Sequence, residues 1–123
     1  MNALAQARRA YGSTNAPVRT ARGIEYQALA RVTQRLSKAA RNDRKDFPEL
    51  AAALLQNKKL WSVFAVDVAN PENGLPEQLR ANIVGLMSFT HRHTSAVLAR
   101  EATVQPLIEI NTAIMRGLAS GGR

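Results

Sequence analysis

The chain has 123 residues, a net charge of +8 and no cysteine; the length suits one domain, and the composition excludes disulfides and thiolate metal sites. Nearly half the residues are apolar, many of them alanine, and only six are aromatic; alanine favours helix whereas β-branched and aromatic residues favour strand, so the balance points to an all-α protein. The charge is uneven, with ten basic and two acidic side chains in residues 1–45 and seven of each in residues 46–123, so the whole excess sits in the first third, where it suits nucleic acid, an anionic surface, an acidic protein or simply a solvated helix face.

Residues 3–11, ALAQARRAY, suit two helical turns, too short to be stable alone in water. Gly12 to Gly23, GSTNAPVRTARG, reads as a linker. Residues 1–23 are therefore expected to form an N-terminal segment, mobile or docked as a short helix. The start meets two arginines before any long apolar run, unlike a secretory signal. The longest uncharged internal run, Ala81 to Thr90, falls short of the ~18–20 residues that span a bilayer. A cytoplasmic protein without a membrane segment is expected.

Residues 24–119 read as a small bundle of four main helices, and 120–123 as a disordered tail. From Ile24 to Ala40, Leu29, Val32, Leu36 and Ala39 recur at three- and four-residue steps, with Arg31, Arg35, Lys38 and Arg41 largely on other faces. Asp46-Phe47-Pro48-Glu49 has the form of a capping box with aspartate as the cap. Phe47, Leu50, Leu54 and Leu55 then make one stripe, and Leu60, the single tryptophan Trp61, Phe64 and Val68 another, with Gln56-Asn57-Lys58-Lys59 between them. One long helix is expected here, with two short ones meeting near Asn57 as the alternative. Pro71 ends it, Asn73-Gly74 supplies a residue of positive φ, Leu75 before Pro76 is pushed extended and folds back near Leu79, and Pro76 suits the first position of the next helix. A helical hairpin follows, in which Asp67 and Arg80 come level and are expected to form a salt bridge. The helix from Pro76 to about Arg100 places Leu79, Ile83, Leu86, Thr90, Thr94 and Val97 on one face; its opposite face is made of Ala81, Gly85, Ser88, Ala96 and Ala99, with Arg92 its one charge. Near Thr103 a last helix begins, with Val104, Leu107, Ile108, Ile114, Met115 and Leu118 on its stripe and Asn111 among them as a register-setting amide.

Catalytic and metal chemistry find little support. His91 and His93, two apart on a helix, point in nearly opposite directions and cannot share a metal; His93 is expected half-buried and bonded to a neighbouring helix, His91 solvated. There is no glycine-rich phosphate loop and no recognisable nucleophile constellation, so neither an enzyme nor a cofactor is expected.

Asn57-x-x-Leu60-Trp61, then Asp67, then Asn73-Gly74-Leu75-Pro76-x-x-Leu79-Arg80-Ala81 resemble the FlaF regulators of bacterial flagellar biosynthesis. The likeness continues through His93-Thr94, Pro106-Leu107-Ile108-Glu109-Ile110-Asn111 and Ile114-Met115-x-Gly117-Leu118. The resemblance implies a cytoplasmic protein of flagellum assembly tied to flagellin production and export, with flagellin as partner and FlbT as a second regulator beside it. A bundle can shield an amphipathic helix in an apolar groove. The candidate groove runs along residues 79–98 with Trp61–Val68 and Leu107–Leu118, and its candidate contacts are Trp61, Phe64, Met87, Phe89, Leu107, Ile108 and Met115. Phe89 leaves the main stripe and is the foremost of these; Trp61 is assigned to the core before the contact surface, since Leu60 and Phe64 also demand burial. The alternative is an RNA-binding regulator of flagellin mRNA acting through the basic first third; a membrane-surface adaptor using the N-terminal segment is a third reading.

Overall fold

The computed structural model describes residues 21–42 and 44–119. The expected helix at 3–11, the linker before Ala21 and the tail at 120–123 lie outside the described residues. Among the described residues there are four helices and no strand: α1 (Ala21–Ala40), α2 (Phe47–Ala69), α3 (Glu77–Leu98) and α4 (Gln105–Ala119). None is long and apolar enough to cross a membrane.

The stripe of α1 is buried at Leu29, Val32, Leu36 and Ala39, as its spacing requires, and Arg31, Lys38 and Arg41 are exposed. The helix begins at Ala21 rather than Ile24. Asp46 caps α2 by accepting the Glu49 backbone N–H at 3.1 Å. The return half of the expected capping box is replaced, because the Asp46 N–H already donates to the Asn42 carbonyl at 2.8 Å. The Glu49 carboxylate turns instead to Arg35 of α1, accepting from Nε at 2.8 Å and from Nη2 at 3.1 Å. That bond holds the Glu49 carboxyl below its ordinary range and raises the Arg35 guanidinium further above neutral pH. A carboxyl depressed on folding stabilises above its unfolded pKa and loses that contribution as pH falls through the folded value, so this surface tie between α1 and α2 acts at neutral pH and fades on acidification. Asp46→Ala is expected to cost about 1 kcal/mol in urea unfolding at neutral pH, the usual worth of an N-cap.

α2 is one unbroken helix. Its two expected stripes are a single one, Leu50, Leu54, Asn57, Trp61, Phe64 and Val68, all buried, and Leu55 stands outside it, 53% exposed. In the loop that follows, Asn70 Oδ1 accepts the Glu72 N–H at 2.8 Å, Asn73 Oδ1 accepts the Leu75 N–H at 3.1 Å, and Asn73 Nδ2 donates to Asp67 Oδ2 at 3.2 Å. Gly74 takes a φ of 93°, open to glycine at no steric cost. Leu75 folds back into the core. Pro76 stands at the N-cap of α3, one place before the first helical position expected for it. Arg80 reaches over the loop to a backbone group, donating from Nη1 to the Pro71 carbonyl at 3.4 Å.

α3 ends in a Schellman motif, with Glu101 N–H on the Ala96 carbonyl at 2.8 Å and Arg100 N–H on the Val97 carbonyl at 2.9 Å. Arg100 takes a φ of 61°, where glycine is usual. Its guanidinium lies 3.9 Å from the centre of the Phe47 ring, so a cation–π contact offsets the backbone cost.

The helices run up-down-up-down in a ring, with α2 against α1 and α3, and α1 against α4. α3 and α4 approach closely at few points. The core is layered. Near the hairpin loop, Leu29, Trp61, Phe64, Val68, Leu75, Ile83, Ile114 and Leu118 form one apolar cluster; at the other end Val32, Leu36, Leu50, Leu54, Val97, Val104 and Leu107 form a second. Between them lies a polar layer. Asn111 Oδ1 accepts the Trp61 indole N–H at 2.8 Å, and Asn111 Nδ2 donates to Asn57 Oδ1 at 2.8 Å and to Thr33 Oγ1 at 3.1 Å. Thr33 in turn donates to the Leu29 carbonyl at 2.6 Å. One amide on α4 thereby ties α1 and α2 together.

Candidate functional site

The structure divides the seven candidate contacts. Trp61, Phe64 and Leu107 are core, at 0%, 2% and 0% exposure. Trp61 is core, as assigned, and the candidacy of all three as groove contacts is corrected: the indole N–H is spent on Asn111, and Phe64 packs edge-on to Trp61 with centroids 5.9 Å apart. The Trp61–Val68 side of α3 is therefore filled by its own chain. Met87 packs on the loop-end cluster and Ile108 on the other, both half-buried. Met115 borders a cleft on the α1 side with Tyr26, Lys38 and Arg41. Phe89 alone stands on the side of α3 that faces α4.

Two contacts fix how α3 and α4 lie. A Cβ at Gly117 would stand 3.2 Å from Leu79 Cδ1, and His93 Nε2 lies 2.7 Å from the Thr103 carbonyl, the ring N–H donating. Both belong to one antiparallel register, which sets Leu86 level with Ile110 and Phe89 level with Leu107. On α4, Ile110 lies two turns before Gly117 and so shares its face. Along the sparsely contacting α3–α4 border, termed the trough, Leu79, Leu86, Phe89 and His93 on one side and Pro106, Ile110 and Gly117 on the other are half-buried, and Leu79, Leu86 and Ile110 also pack on the loop-end cluster. Phe89 stacks on the His93 ring, centroids 5.3 Å apart and planes 17° from parallel, which braces both rings at the trough's wall. The Thr103 carbonyl orients His93 in turn. None of these trough side chains carries a formal charge when His93 is neutral.

The outer face of α3 is as small as its sequence suggests, with exposed Arg92 its one charge, donating to Ser88 Oγ at 2.7 Å. Ala81, Gly85, Ser88 and Ala99 are exposed, and a Cβ at Gly85 would meet nothing within 4 Å. Val84 beside them is 42% exposed and Val66 on α2 69%.

The two histidines part in direction as expected, but His93 meets the Thr103 carbonyl in the connection before α4 instead of a neighbouring helix. His91, expected in solvent, is half-buried with Nε2 2.9 Å from Ser62 Oγ on α2; the Ser62 hydroxyl itself donates to the Lys58 carbonyl. Among the described residues no three His, Cys, Asp or Glu side chains cluster as metal ligands would. Asn57 was the residue that periodicity placed least well. Its neighbours Gln56, Lys58 and Lys59 suggested a polar break, although the steps 50, 54, 57, 61, 64 and 68 put it on the buried stripe. The described cavities lie off the trough: 570 Å³ between α1 and α2, 540 Å³ beside α1 and α4, and 360 Å³ at the end capped by Phe47 and Arg100.

No curated protein and no solved structure matches the chain. The family described as flagellar protein FlaF matches residues 7–118. That span takes in all four helices but for the last residue of α4, and it contains the hairpin loop, the Trp61–Asn111 tie and both walls of the trough; the chain belongs to the FlaF family of flagellar proteins.

Proposed function

We propose that this protein is a non-catalytic flagellar regulator that holds an amphipathic helix of flagellin in the trough between α3 and α4, acting in the cytoplasm before export. The observation that carries the reading is how few close approaches α3 makes to α4, along a border where Leu86, Phe89 and Ile110 are half-buried. Its uncharged walls suit the apolar face of a guest helix, and half-buried side chains already partly desolvated lose little on being covered. The flagellar family supplies the partner class. FlbT is the second partner this reading carries, beside the same substrate.

Phe89→Asp tests it. A charge at the middle of the seam is expected to weaken binding of purified flagellin at least tenfold, roughly a hot-spot loss, as measured by titration calorimetry. The thermal midpoint should stay near that of the unaltered protein, because Phe89 lies outside both core clusters. Binding should also persist as salt is raised, since the contacts are apolar. Wild-type affinity in the Phe89→Asp protein would remove the seam as the site.

A further inference from the structure

We propose that the exposed face of α1 is a track for single-stranded nucleic acid, separate from the trough, with Tyr26 as its stacking ring. Arg31, Gln34, Lys38 and Arg41 recur at steps of three and four residues, and all except the amide are cationic. All four are exposed. At 1.5 Å of rise per residue the donors step along the helix by about 5 Å, a spacing suited to successive phosphates of an extended strand. The positive row ends with Arg41, because in the sequence that follows, Asp43 and Asp46 balance Arg44 and Lys45. After Glu25 the helix carries no acidic residue. Arg35 is not part of the track, because Glu49 and Gln56 already hold its guanidinium at 2.8 and 2.7 Å.

The cleft beside this row distinguishes a nucleic acid from other polyanions. Its 540 Å³ is lined by Tyr26, Gln34, Ser37, Lys38, Arg41 and Met115 among others, with no carboxylate. An aromatic ring 36% exposed, a thioether wall, an amide and a hydroxyl suit the flat face and polar edges of a base, while Lys38 and Arg41 sit where its phosphates would lie. An acidic peptide would use the cations and leave the ring idle. A lipid surface would need apolar groups to insert, and among the described residues Tyr26 is the one exposed large apolar side chain of α1.

The experiment uses the full chain and a fluorescein-labelled twelve-nucleotide oligouridine, followed by fluorescence anisotropy across a salt series. The expected result is binding that weakens as salt rises. Arg31→Ala with Lys38→Ala should lower affinity by about tenfold and flatten the salt dependence by about 1.4 log units per log unit of salt, two phosphates' share for a single strand. Tyr26→Ala should lower affinity about fivefold, within the range for one stacked base, and leave the salt slope unchanged. Lys58→Ala with Lys59→Ala, on α2, should bind as the unaltered protein does. Equal loss from the α2 pair, or no loss from Tyr26→Ala, overturns the track. Equal competition by polyglutamate of matched charge also overturns it, in favour of an acidic protein partner. Circular dichroism confirms that each variant is folded, the expected outcome because Tyr26, Arg31, Lys38 and Lys59 are exposed and Lys58 only half-buried. Flagellin binding in the α1 variants should be unchanged, so this proposal and the trough fail or stand separately.

Discussion

Asn111→Leu is expected to destabilise the protein by about 3–5 kcal/mol, although leucine keeps the branched shape of the side chain and suits the apolar surroundings. The leucine strands the Trp61 indole N–H and the Asn57 amide oxygen in a fully buried layer, and each bare polar group there costs roughly 1–3 kcal/mol. Thr33 is spared, since its hydroxyl still donates to the Leu29 carbonyl. Set against a typical domain stability of about 5–15 kcal/mol, such a loss should be plain as a lower urea midpoint. A loss under about 1 kcal/mol would mean that the layer relaxes or admits water, and that Asn111 is not the tie between α1, α2 and α4.

Trp61→Ala should cost about 3–5 kcal/mol by a different route, the removal of the largest fully buried side chain. The cavity would open beside Phe64 and Leu29 in the loop-end cluster, and Asn111 Oδ1 would lose its donor. Trp61→Phe should cost less, about 1–3 kcal/mol, because most of the ring volume remains and chiefly the hydrogen bond is lost. Combined with Asn111→Leu, Trp61→Phe should add less than its own effect, since both changes delete the same bond. A Trp61→Ala protein with an unchanged midpoint that had lost only flagellin binding would move Trp61 out of the core and into the contact surface.

Much of this fold could be read from spacing alone. The stripe of α1, the aspartate cap of α2, the loop built on Asn73-Gly74 and the buried amide of Asn111 each follow from a residue type in a position that has one common use. The harder features depended on neighbours that a sequence does not show. Glu49 fits a capping box by position, and only the nearness of Arg35 draws it away. Arg100 at a positive φ carries no local signal, because the ring that compensates it lies on another helix. His91 reads as solvated until α2 brings Ser62 beside it. The site was legible in part for the same reason. Phe89 could be singled out because it leaves the apolar stripe, whereas Trp61, Phe64 and Leu107 have the same composition as a binding surface and are told apart from one only by what covers them.

The sparse meeting of α3 with α4 sets how the fold could receive a guest without coming undone. Prising that border open would break the Leu79–Gly117 touch and the His93–Thr103 bond, while the indole–amide knot that clasps the other three helices stays shut. The opening is confined to that border, because Ile83 and Val97 root the same helix in both core clusters and Ser62 holds His91 on its far side; only the rim can part, and the frame behind it keeps its footing.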